Sequence, residues 1–271
     1  MTASATRGGP DFVIAAAQPP TEFLSTQSRL DYAAAAGRAA SALGPALLVL
    51  PELFLSGYGC SLADPAGAAR RDAATLERLR VIASREQIWV ITGLVVHDDS
   101  GYGNACVAID PLGRTVASYR KIHLFGPEEE RAFEPGTRVP IFATPLGSTA
   151  LAICYDVEQA PFMAFLHRRG AKAVLVPTAN MAPYHQVPDV QVRARALENQ
   201  LLIAYANFAG LDGALDLVGG SIIVGGDGAV LGKAGSRPAM VLCTVEGPCS
   251  PESGSQATEH RYRPDRFRAA G

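Results

Sequence analysis

Leu47-Leu-Val-Leu-Pro51-Glu52-Leu-Phe54 decides the fold class of this 271-residue chain. Four consecutive apolar residues, closed by a proline that cannot donate to a ladder, read as a short strand buried on both faces. A carboxylate directly after such a strand, among apolar side chains, is costly unless it is paired. Position alone leaves Glu52 two readings: a helix cap or salt bridge, or a functional carboxylate.

Outward from this stretch the pattern recurs. Residues 12–17, 46–50, 88–95, 150–153, 173–176, 202–206 and 239–245 read as apolar strands, and residues 26–43, 62–85, 161–169 and 189–199 as helices. Asp110-Pro-Leu-Gly113 joins residues 104–109 to 115–119, and Gly225-Gly-Asp-Gly228 joins 221–224 to 229–233, both as hairpins. Residues 123–139, dense in charge, proline and glycine, read as irregular. Strands that are continuous apolar runs, alternating with helices, predict an α/β layered fold with sheets covered on both sides. No linker or repeat divides the chain, so one domain over 1–271 is expected, with 248–271 a polar tail.

The bulk numbers narrow the function. With 18% charged residues and a net charge of −2, a basic patch able to hold nucleic acid is not expected. No apolar run approaches the roughly 18 residues of a membrane span, and the polar N-terminus lacks a signal peptide's apolar stretch. Cys60, Cys106, Cys154, Cys243 and Cys249 are odd in number and form no C-x-x-C pair. That argues against a disulfide framework or structural zinc, and points to the reducing cytoplasm. Neither metal nor cofactor is expected.

Two further strand ends carry polar chemistry. Ser118-Tyr-Arg-Lys121-Ile-His-Leu-Phe125 ends a hairpin strand, and alternation puts Lys121 and His123 on one face. Leu151-Ala-Ile-Cys154-Tyr-Asp156 ends a buried strand just before a helix, where terminal N–H groups lower a thiol's pKa. Each has a plainer alternative: a solvated lysine, a structural histidine, an inert core thiol. Together they place nucleophile, carboxylate and ammonium at strand C-terminal ends, where open α/β sheets bind ligands and where acyl transfer needs such groups.

These stretches resemble the nitrilase, or carbon–nitrogen hydrolase, superfamily. Leu-Val-Leu-Pro-Glu52-Leu-Phe, Tyr-Arg-Lys121-Ile-His-Leu-Phe-Gly and Ala-Ile-Cys154-Tyr-Asp resemble its glutamate, lysine and cysteine motifs, in family order. Gln18, Val176-Pro-Thr-Ala-Asn-Met181, Arg195-Ala-Leu-Glu-Asn199, Ala204-Tyr-Ala-Asn207 and Gly225-Gly-Asp-Gly228 extend the likeness over nearly the whole chain. The resemblance implies a four-layer αββα sandwich that pairs as a homodimer or larger homo-oligomer. It also implies a small amide-type substrate. Cys154 would be the nucleophile, Glu52 the proton carrier, and Lys121 with the Tyr155 backbone N–H the oxyanion donors. Asn180 would line the substrate site. A second family glutamate stands seven residues before the glycine of a Phe-x-Pro-Gly turn, here Phe133-Glu-Pro-Gly136, and so falls on Glu129, between Glu128 and Glu130.

Tyr155-Asp156 after the cysteine is more like amidase branches than the Trp-Glu of nitrile hydrolysers, so an amide or carbamoyl substrate is favoured over a nitrile. Gln159-Ala160-Pro161 and Ala164 depart from the family's Phe-Pro-Glu and Arg, a pair expected to brace the helix behind the nucleophile. Pro161 suits the first turn of that helix instead. Two other functions stay open: a family member without turnover that binds or regulates a partner, and a Cys–His arrangement using His123, His167 or His185. Trp89 reads as core, and Arg193, Arg195 and Glu198 as helix-surface or interface pairs, with Glu198 and Asn199 alternatively near the site.

Overall fold

In β1 (Phe12–Gln18) every residue is buried, yet its two faces meet different partners. Phe12, Ile14 and Ala16 enter a core shared with a second sheet. Val13, Ala15 and Ala17 pack with residues of three helices, α1 (Thr26–Ser41), α2 (Tyr58–Ala63) and α3 (Pro65–Glu86). A strand covered on both sides has no need of polar alternation, which explains its unbroken apolar run. The computed structural model describes residues 11–21 and 25–246; the expected tail at 248–271 lies outside them.

The first sheet adds β2 (Ala46–Val49), β3 (Trp89–Asp98), β4 (Gly101–Ile109) and β5 (Thr115–Arg120). The second begins with β6 (Ile141–Thr144), β7 (Gly147–Leu151), β8 (Ala173–Pro177) and β9 (Leu202–Ala206). After the small hairpin of β10 (Ala209–Asp212) and β11 (Leu215–Val218), the second sheet takes β12 (Ile222–Val224) and β13 (Val230–Lys233). Finally β14 (Ala239–Val245) returns to the first. The two six-stranded orders are β14-β1-β2-β3-β4-β5 and β13-β12-β9-β8-β7-β6. Each has a parallel centre, β1–β2–β3 and β7–β8–β9. Helices α5 (Ala160–Arg168) and α6 (Val192–Asn199) contribute Met163, Leu166, Val192 and Ala196 to the second sheet's core. The result is the expected four-layer αββα sandwich.

Several local expectations are corrected. The helix predicted over residues 62–85 is two, because Asp64 caps α3 with its side chain on the Gly67 N–H and Pro65 takes the first turn. Residues 123–139 are not wholly irregular: α4 (Gly126–Ala132) lies within them. The helix expected from residue 189 starts as a π turn over Val187–Gln191. Trp89 is only partly buried, although it packs on the core. Lys121 and His123 do not share a strand face, because β5 ends at Arg120; Lys121 is fully buried while His123 is partly exposed.

Candidate active site

Glu52 follows β2 in a tight turn whose next residue, Leu53, has a left-handed φ of 47°. That turn lies on the backbone of β3: a Cβ at Gly93 would fall 2.2 Å from the Leu53 nitrogen and 2.6 Å from the Glu52 Cα. Only glycine permits this approach. The Glu52 N–H reaches the Thr178 carbonyl after β8 at 3.3 Å, joining the loops of the two sheets. Its fully buried carboxylate is held by three donors. Oε1 accepts from Lys121 Nζ and Asn104 Nδ2, each at 2.7 Å, and Oε2 accepts from the Ala179 N–H at 2.9 Å. Desolvation and the Glu129 charge raise its pKa against the opposing pull of Lys121.

Lys121 is fixed from both sides of the chain: its N–H donates to the Asn104 carbonyl, and its own carbonyl accepts from Gly136, both at 2.8 Å. A Cβ at Gly136 would lie 2.2 Å from the Arg120 carbonyl oxygen, so the Phe-x-Pro-Gly turn closes only with glycine there. The ammonium bonds Glu52 and, at 2.8 Å, Glu129 Oε1. Despite full burial, these carboxylates hold Lys121 protonated, its pKa well above the ordinary value. Of the three adjacent glutamates Glu129 is the buried one, while Glu128 and Glu130 are exposed. It also accepts from the Tyr58 hydroxyl at 2.8 Å and from the Phe125 N–H at 2.9 Å.

Cys154 opens a 3-10 turn (Cys154–Glu158) with φ at 45°, a strained conformation for a non-glycine residue and one concentrated at functional sites. Its thiol hydrogen-bonds the Thr178 side chain and feels Glu52, Lys121 and Glu129. The lowered thiol pKa expected from the turn's N–H groups is not found. Burial and the Glu52 charge push it well above the ordinary value, so the resting sulfur is a neutral thiol. His123 is turned to other work: its Nδ1 and N–H bond Asp156 Oδ1 at 2.8 and 3.0 Å, and its ring meets Phe162 edge-on.

Asp156 is buried and ties the cysteine turn to the lysine loop. Besides His123 it accepts from the Tyr119 hydroxyl at 2.8 Å and the Ile153 N–H at 2.9 Å. The Glu–Arg brace that the sequence lacks is replaced. Pro161 sits in the first turn of α5, Phe162 packs against Tyr119 and His123, and Arg195 reaches from α6 to the Glu158 carbonyl at 3.1 Å. Arg195 also pairs with Glu198 at 3.0 Å, and Asn199 bonds back to the Arg195 carbonyl. Asn180 is buried, but its Nδ2 donates to the Tyr184 carbonyl and its carbonyl accepts from Asn207 Nδ2, each at 3.0 Å. It braces the loop that sets Tyr184 against Phe125, 5.5 Å between ring centroids, with Tyr155 on Phe125 at 5.4 Å.

The carbon–nitrogen hydrolase family model matches residues 13–246. A hydrolase encoded in the pqqF 5′ region of Pseudomonas protegens is 37% identical, the match covering 81% of this chain and 77% of that protein. The human omega-amidase NIT2 is 32% identical over 77% of this chain and 79% of its own. Among solved structures, a double mutant of the amidase from Nesterenkonia sp. AN1 in complex with acrylamide superposes with a TM-score of 0.82. It is 34% identical and covers 89% of this chain and 93% of that one. Another structure of that amidase carries the acetamide moiety of fluoroacetamide added covalently at its active-site cysteine.

Proposed function

This chain belongs to the carbon–nitrogen hydrolase family, and on that premise we propose that it hydrolyses small amides through a thioester on Cys154. The observation that carries the reading is a fully buried Glu52–Lys121–Glu129 cluster, with bonds of 2.7 and 2.8 Å, whose charges act on the Cys154 thiol. Covalent capture at the active-site cysteine of the Nesterenkonia amidase supports the same role for this one.

The resting thiol is protonated, so it becomes nucleophilic only as its proton passes to Glu52, whose pKa, raised by burial, suits it to take and return a proton. The sulfur attacks the amide carbon. In this scheme Lys121, with a third N–H beyond those given to Glu52 and Glu129, and the Tyr155 N–H donate to the developing oxyanion. Tyr155 precedes Asp156, whose N–H makes the turn's first bond, to the Ile153 carbonyl at 3.0 Å. Glu52 returns the proton to the departing nitrogen and ammonia leaves. Glu52 then takes a proton from water, the hydroxide opens the thioester, and the acid departs as the thiol is restored. Glu129 holds Lys121 in place throughout. The aromatic group that Phe125 and Tyr184 form with Tyr155, the residue after Cys154, supports an uncharged acyl group as substrate.

The test is ammonia release from acetamide, propionamide, N-carbamoyl amino acids and nitriles. Amide turnover that disappears in Cys154→Ala with unchanged circular dichroism is expected. Turnover retained in a cleanly purified Cys154→Ala chain overturns the scheme. We further propose a cytoplasmic homodimer. The exposed Phe165 of α5 and Leu197 of α6 support a self-contact through the outer helices. A monomer mass by light scattering at micromolar concentration refutes it.

A further inference from the structure

Asn104 lies in the middle of β4, opposite Val95 of β3, and is completely buried. Its backbone carbonyl holds the Lys121 N–H at 2.8 Å, and its side-chain Nδ2 holds Glu52 Oε1 at 2.7 Å. One strand residue therefore fixes both the ammonium-bearing loop and the carboxylate. Among the described residues the side-chain oxygen of Asn104 has no hydrogen-bond partner. Rotating the amide would not repair this, because it would set Oδ1 against Glu52 Oε1, acceptor against acceptor. An unpaired buried carbonyl lowers stability. Its presence in a strand centre is explained by what the other half of the amide does.

With Lys121 and Asn104 both on Oε1, that oxygen is committed. Among the described residues Oε2 receives only the Ala179 N–H and keeps an open lone pair. We propose that Asn104 is a positioning residue that divides the labour of Glu52, reserving Oε2 as the oxygen that takes and returns protons. This rests on the hydrolase reading above. The titratable groups around Glu52 are Lys121, Glu129, Cys154, Tyr58, Tyr205 and Cys106. Asn104 is the neutral donor among its side-chain partners, and its bond favours the ionised carboxylate.

The test uses the full-length chain, with iodoacetamide alkylation of Cys154 followed by peptide mass spectrometry between pH 5 and 10. In that step the sulfur displaces iodide and the thiol proton passes to Glu52, so the acid limb reports Glu52. In Asn104→Ala the limb should move up by about one pH unit, with alkylation on the acid side of the parent's limb about tenfold slower. In the isosteric Asn104→Asp it should move further, since two adjacent carboxyls share a proton. For propionamide hydrolysis, kcat should fall by a like factor with KM within about twofold. Folded variants whose acid limbs coincide with the parent's overturn the proposal, whatever their melting temperatures. If the parent alkylates with an acid limb but releases no ammonia, the hydrolase reading fails while the Asn104 assignment is still decided by the alkylation limbs.

Discussion

Lys121 is enclosed by two carboxylates at 2.7 and 2.8 Å with no solvent exposure, so its removal strands negative charge rather than merely subtracting a contact. Breaking such a buried pair typically costs about 3–5 kcal/mol. Without the ammonium the pKa of Glu52 rises further, and the folded state binds a proton that the unfolded chain releases. Stability of Lys121→Met should therefore fall as pH rises from 5 to 8, and urea unfolding at both ends should show the larger loss at pH 8. An equal loss at both would mean that the charges are not coupled. Gly93 makes a second residue-scale prediction. Gly93→Ala should lose about 2–3 kcal/mol by overpacking, and amide turnover with it, because the added methyl meets the backbone of the Glu52 turn. Full turnover in that variant would show that the turn can yield. Glu52 and Cys154 were legible because each ends an apolar run with a charge or a thiol, whereas Lys121, beside Arg120, was legible through the resemblance of its motif. Gly93, Thr178 and Asn104 were not. Gly93 and Asn104 carry no distinguishing signal until β3 and β4 are paired beside β2, and Thr178 none until the second sheet meets the first.

Among the elements, α3 and β3 are joined by Asp72, which is fully buried and accepts from the Val95 N–H at 2.7 Å and the Ser56 hydroxyl at 2.5 Å. Burial outweighs those bonds and pushes its carboxyl up to about 6. The folded chain thus keeps a proton that the unfolded chain, with an ordinary aspartate, loses near pH 4. The contribution of Asp72 is complete only below about pH 3 and declines as pH rises through 6, by about 2 kcal/mol between pH 4 and pH 6. The stability difference between the parent and Asp72→Asn, from urea unfolding at pH 4 and 6, should change by about that amount; a constant difference refutes the assignment. Two physical causes recur among the elements missed in the sequence. β6, β10 and β11 have four residues each and are largely half-buried or exposed, too short to show a period. Helix α4 opens Gly126-Pro-Glu-Glu and buries Glu129, so its inward residue is a charge instead of the apolar side chain that periodicity seeks.

At the scale of the whole molecule, the unbroken apolar strands announced sheets covered on both faces but not which loops of one sheet would meet the other. That pairing is made by polar groups, of which Gln18 is one. Fully buried at the end of β1, it accepts from the Ser221 N–H at 2.8 Å, and its Nε2 donates to the Gly235 and Arg237 carbonyls at 2.8 and 2.6 Å. The first sheet is thereby bonded to the chain on both sides of the β12–β13 hairpin of the second. Close approach reinforces it, since a Cβ at Gly219 would lie 2.7 Å from Gln18 Nε2. In Gln18→Leu the three bonds are not lost equally. Gly235 and Arg237 are exposed, so water can replace Nε2 at their carbonyls, whereas the N–H of the buried Ser221 is left without an acceptor. The expected loss is that of one stranded donor, about 1–3 kcal/mol, not the sum of three bonds. Gln18→Glu retains an acceptor for Ser221 but sets a carboxylate against two carbonyls. It should match Gln18→Leu in urea unfolding at pH 8 and recover part of the loss at pH 5, where a protonated carboxyl can donate again. If both variants unfold with the parent's midpoint at pH 8, Gln18 is incidental to the alignment of the two sheets.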